Sequence, residues 1–280
     1  MKNYYNLVAG MPDVSPDDAK LTFTVADFKE DYLPALSASD RKLVSLFFLK
    51  YDHRNLLALL SEGDNAPFDE RALFSREDLT EAVEQVKSGE EQGRKLPPYF
   101  YDFIASYAEI REVQEQLPED VLATGYYRYA LDFGNDFVSD WFRFNLNVNN
   151  ILIALTARKY GFSAAPYLVG DDETTEALAT SGARDFGLGT ELDYLDELVR
   201  IGDLPDPVEK ERKLDLLKWN WLEDRTFFCY FSVERLFALL IKLDIVERWT
   251  LIDKERGGKV FRGLIESLKN DVDIPQEFKK

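Results

Sequence analysis

Through most of the chain apolar residues recur at three- and four-residue spacing, the period of an amphipathic helix. Leu79, Val83 and Val86 follow Ser75-Arg76-Glu77-Asp78, a cap residue with acid in the first turn, and Gly89 supplies a stop. Asp206-Pro207-Val208-Glu209 opens another helix, with Leu214, Leu217, Trp221 and Phe228 expected on one face. Thr24-Val25-Ala26-Asp27 caps a further one carrying Phe28, Tyr32 and Leu36. Alternation over 21–25 predicts one short strand, too short to support a sheet. Breaks are expected at 61–69, 88–98, 161–190 and 202–207, with a short helix over 173–179 inside the third. The expected class is all-α.

Three windows resemble one another. Residues 47–60 read FFLKYDHRNLLALL, 142–155 read FRFNLNVNNILIAL, and 227–240 read FFCYFSVERLFALL. Their starts are 95 and 85 residues apart (142 − 47 and 227 − 142), close to thirds of the chain. Phe and Leu identities are common in any core helix. The polar match is sharper: Asp52, Asn147 and Ser232 align, all of them preferred N-cap types. The expected unit is an aromatic helix, a capped restart and an apolar helix, used three times. It predicts three similar helical lobes, 1–95, 96–190 and 191–280, packed on one another as one structural domain or several.

Composition narrows the chemistry. There are 34 Lys+Arg against 52 Asp+Glu in 280 residues, a formal net charge of −18. That field repels phosphate, so nucleic acid and anionic lipid are not expected partners. The single cysteine, Cys229, excludes an internal disulfide, and its aromatic neighbours predict a buried, inert thiol. The single histidine, His53, excludes zinc sites with several His and is read as structural. Gly187-Leu188-Gly189 lacks the third glycine of a dinucleotide loop, because Leu192 stands there. No cofactor or metal is expected. No basic, apolar and small-residue pattern follows Met1, so no secretory leader is expected. The longest apolar run, 236–241, is far short of the roughly 18 residues of a membrane helix.

Asn147-Val148-Asn149-Asn150-Ile151, followed by Arg158-Lys159-Tyr160-Gly161, resembles a segment of the C subunit of archaeal-type and bacterial V-type ATPases, known as the d subunit in the eukaryotic enzymes. That family shows Asp or Asn, two residues, then Asn and Ile or Leu, with Arg two turns later and Gly beyond. Tyr51-Asp52-His53-Arg54-Asn55-Leu56 resembles another copy. The third window departs, with Glu234-Arg235 in place of Asn, and the first has Gly63 where the second has Arg158. The opening Tyr4-Tyr5-Asn6-Leu7-Val8-Ala9-Gly10-Met11-Pro12-Asp13 is similar to an uncharacterised bacterial family that accompanies V-type ATPase genes where a normal C subunit is missing.

The resemblance implies three all-helical lobes and a non-catalytic rotor part. It would sit on the membrane ring of c (K) subunits and accept the D–F shaft in a central funnel. The protein would be cytoplasmic, peripheral to the membrane through the complex, and monomeric in isolation. Asn55, Asn150, Arg158 and Arg235 are then candidate partner or inter-lobe contacts. The acidic excess suits basic ring loops or a basic shaft foot. An enzyme alternative rests on Asp132, Asp136 and Asp140, which share a face if one helix carries them. Such a face could hold Mg²⁺ against a diphosphate, as in all-helical isoprenoid synthases. A helical adaptor unrelated to an ATPase is the third reading.

Overall fold

A computed structural model describes residues 4–271, apart from 19, 90–92, 94, 114 and 115, and describes side chains as far as 252. Every regular element among these residues is helical. Three long helices dominate: α3 (Ala38–Glu62), α7 (Asp136–Tyr160) and α11 (Val233–Asp271). Short helices α1 (Tyr5–Ala9) and α2 (Val25–Asp27) precede them. Between α3 and α7 lie α4 (Arg76–Ser88), α5 (Pro98–Val113) and α6 (Pro118–Leu131). Helices α8 (Glu173–Thr180), α9 (Leu195–Gly202) and α10 (Pro207–Thr226) lead to α11. Helix α7 packs on α6, α8 and α9; α3 packs on α4, α6 and α11; α10 packs on α9 and α11.

Local chemistry sets the helix ends. Ser75 and Asp78 form a reciprocal capping box at α4, and Gly89 takes a left-handed conformation, φ 72°, to close it. Asp206 caps α10 through the Val208 N–H, with Pro207 at the first position. Asp172 caps α8 through Thr175. Thr24 and Asp27 also make a capping box, and this overrides the strand expected over 21–25: Val25 becomes the first residue of α2. That helix passes into a wide π-type turn, Phe28–Tyr32, and a tight 3-10 turn, Leu33–Ala35. Inside α6, Gly125 allows close approach to α5, since a Cβ there would lie 3.1 Å from Tyr99.

The buried side chains form a single cluster that includes Tyr4, Phe48, Phe100, Ile151, Leu198 and Trp249. The core therefore runs across the expected boundaries near 95 and 190. The apolar run 236–241 lies buried near the start of α11, and no described helix is long and apolar enough to cross a membrane. Helix α10 ends at Thr226, two residues before Phe228, which is 79% exposed and off the face expected to bury it. Phe227 and Tyr230 are also exposed and Cys229 is half-buried, so the run read as a thiol's burial site is an aromatic corner on the surface.

Leu240→Ala should cost about 2–5 kcal/mol by leaving a cavity at a fully buried position. Phe227→Ala, at the exposed corner, should stay within about 0.5 kcal/mol of the parent. Urea denaturation followed by circular dichroism measures both.

Candidate functional site

Asp52 and Asn147 are not caps. They lie in the interiors of α3 and α7, which run unbroken through both positions, and both are buried. A polar group there must find a partner outside its own helix, and the following loop supplies one. Asn55 donates from Nδ2 to the Asp69 carbonyl at 3.0 Å and accepts the Asp69 N–H at 2.8 Å. Asn150 does the same with Val169, at 2.7 and 3.0 Å. In each case a primary amide, one turn after the aligned Asp or Asn, pairs with both polar groups of one backbone residue. The long irregular segment after each helix is thereby tied down, with no strand to satisfy it.

Neighbouring groups reinforce both loops. The Asp52 carboxylate accepts the N–H groups of Leu73 (3.1 Å) and Phe74 (2.9 Å). Lys29 donates to the carbonyls of Glu70, at 2.8 Å, and Ala72. Arg158 donates to the carbonyls of Ser181 (2.7 Å) and Arg184 (3.1 Å), with its guanidinium 3.5 Å from the Phe186 ring centre. The Asn147 amide reaches Tyr194 Oη at 3.3 Å. Asn55, Asn150 and Arg158 are thus contacts within the chain.

The third window behaves differently. Ser232 immediately precedes α11, but its Oγ is buried without a hydrogen-bond partner among the described residues. Arg235 donates to Thr226 Oγ1 at 3.2 Å, and buried Glu234 accepts from Asn135 at 3.0 Å. Its polar groups reach back to the start of α7 and the end of α10.

The aspartates of the diphosphate reading do not share a helix. Asp132 closes α6 and Asp136 opens α7, with a turn at Gly134 (φ 80°) between them. Asp140 pairs with Arg225 at 3.3 Å. No cluster of metal-ligating side chains occurs among the described residues. His53 meets the Tyr99 hydroxyl at 2.6 Å, and burial pushes its pKa down to about 3, so it sits neutral in an aromatic cluster with Phe100 and Tyr126.

The three long helices, with α6 and α10, enclose an open cavity of about 530 Å³. Five cations line it, Lys50, Arg54, Arg71, Lys218 and Arg248, with three carboxylates, Asp215, Asp244 and Glu247. Lys50 pairs with Asp244 at 2.6 Å, Arg71 with Asp69 at 2.7 Å, and Arg248 with Asp215 and, at 3.3 Å, Glu211. Trp249 donates to Asp215 at 2.7 Å. Sequence reasoning missed this site because its residues come from five helices and one loop, with no common spacing.

The arrangement defines an all-helical protein in which mid-helix amides clamp the loops that follow them and the long helices line a charged cavity. The chain belongs to the family described as "Protein of unknown function (DUF2764)", whose model matches residues 1–272. No curated protein and no solved structure matches it.

Asn150→Ala strands the buried N–H of Val169 and leaves its C=O only a long hydrogen bond, 3.5 Å, from Thr175 Oγ1, so it should cost about 1–3 kcal/mol; Asn55→Ala, whose partner Asp69 is half-buried, should cost less. Urea melts and amide exchange at Val169 and Asp69 report both. Asp52 has the opposite pH sign to most carboxylates. Burial outweighs its backbone hydrogen bonds and raises its pKa from 3.8 to about 7. The folded chain then holds a proton that the unfolded chain releases. Stability from this group is full below pH 4 or so and is lost as pH rises to about 7, by about 1.4 kcal/mol per pH unit. Asp52→Asn should therefore gain on the parent across that window and hold a constant offset above it. Parallel slopes in urea melts at several pH values would exclude the effect.

Proposed function

We propose that this chain is a non-catalytic rotor part of a bacterial V/A-type ATPase, a socket like the C subunit of those enzymes, which couples the D–F shaft to the membrane c (K) ring. The observation that carries this reading is the matched work of Asn55 and Asn150. These are the asparagines of the two motif copies that resemble that family, and each clamps the backbone of the loop after its helix. Two long helices with the same internal clamp, 95 residues apart in register (150 − 55), support an internal duplication, with 191–280 as a diverged third lobe.

Physical features also favour a mechanical role. The buried core is continuous, and the loops are fastened by side chains, which suits a part that passes torque. Phe227, Phe228 and Tyr230 project at the α10–α11 corner, where Tyr5 stacks on Phe231 at 3.9 Å and the Tyr4 N–H bonds the Phe231 carbonyl at 2.8 Å. A held, exposed aromatic corner is a surface for a protein partner. On this reading the protein is cytoplasmic and reaches the membrane through the complex.

Affinity capture of the tagged chain from mildly solubilised membranes should recover the A, B, D, F and K subunits. Phe227→Ser with Phe228→Ser should reduce that recovery about tenfold or more while leaving the circular dichroism unchanged. Recovery of none of these subunits by the parent chain would end the proposal.

A further inference from the structure

The cavity between α3, α6, α7, α10 and α11 is lined by two cations that have no acidic partner among the described residues. Lys218, half-buried on α10, makes no hydrogen bond or ion pair with any described residue. Asp215, Glu211 and Asp244 act on it only through space. Glu247, from α11, is ion-paired with Arg71 at 3.8 Å, and its Oε2 is shut off from the cavity. Arg54 stands on the same wall with no carboxylate paired to it among the described residues; its guanidinium lies 5.9 Å from the Tyr51 ring centre. The other three cations already have acidic partners. What is left over is therefore cationic, in a chain whose net charge is −18.

The walls between these groups are aromatic, including Tyr51, Trp141, Phe142 and Phe237. Size decides between occupants. One turn of a single α-helix with its side chains fills roughly 500 Å³. At about 530 Å³ the cavity cannot seat a two-helix shaft foot. It does fall within the roughly 300–1,000 Å³ of small-molecule sites.

We propose that this cavity binds a nucleotide-like small molecule. Its phosphates would meet Lys218 and Arg54, and its ring would lie against the aromatic wall. The groups complement one another: an anion relieves the unpaired ammonium, and a flat ring covers apolar surface. The inference does not depend on the rotor reading, because it concerns the isolated chain.

Calorimetry and thermal melting of the full chain with ATP, pyrophosphate and adenosine, at matched ionic strength, test it. ATP should give saturable heat and raise the melting temperature. Pyrophosphate should bind more weakly, and adenosine most weakly of the three. Lys218→Met should weaken ATP about tenfold, whereas Lys213→Met, an exposed α10 residue away from the cavity, should not change it. In the parent chain ATP should protect Lys218 from amine acetylation, a readout independent of how any variant folds. Absence of saturable heat with all three probes, adenosine binding as tightly as ATP, or unprotected Lys218 would overturn the assignment.

Discussion

An amide side chain buried in the middle of a helix finds no free partner in that helix's own backbone, and this constraint organises the fold. The N–H and C=O groups around Asn55 and Asn150 are already paired along α3 and α7. Each amide must therefore bond elsewhere or lose the full cost of desolvation. Each bonds one backbone residue of the loop that follows, through both its donor and its acceptor. The loops have matching needs, because long irregular segments in a helical protein carry many free peptide groups. The helix interior and the loop thus satisfy one another.

Asp52 shows where that exchange is least favourable. It sits one turn before Asn55 and accepts two loop N–H groups, yet burial still raises its pKa to about 7. At the aligned position α7 carries Asn147, which is neutral at every pH and bonds a tyrosine hydroxyl rather than a loop amide. The two helices share one clamp, the asparagine, and differ in the group one turn earlier.

Much of the fold was legible in the sequence, because capping is local. Ser75, Asp78, Gly89, Asp206 and Pro207 act where their spacing placed them. The strand over 21–25 failed on the same local chemistry, since Thr24 and Asp27 bond each other and start a helix. The reading of Asp52 and Asn147 as caps failed for a deeper reason. An Asp or Asn before an apolar stretch looks alike whether it starts a helix or lies buried within one. Only the loop 14 or 19 residues beyond the neighbouring asparagine distinguishes them, and that pairing is tertiary. Asp132, Asp136 and Asp140 had helical spacing, but Gly134 takes a positive φ and divides them between two helices. The cavity was illegible for a similar reason: Lys50, Lys218 and Glu247 lie far apart in sequence, and no short pattern joins them.

The third window bears on how stiff the molecule is. If the last third descends from the same unit, it has exchanged the loop clamp for backward contacts. Glu234 takes a hydrogen bond from Asn135, the cap residue of α7, and Arg235 bonds Thr226 at the end of α10. These contacts couple α11 to α7 and α10. The N-terminal strap adds a further tie, because the Tyr4 N–H bonds the Phe231 carbonyl beside the same corner while its hydroxyl receives the Ser37 N–H and meets Asp40 at the start of α3. The starts of all three long helices are therefore linked by polar contacts through one region. Relative rotation of the helices would break several of these bonds together, since they share residues and elements. For a part proposed to pass torque, that is the property required: the load falls on a connected network and a continuous core, and no single hinge can absorb it.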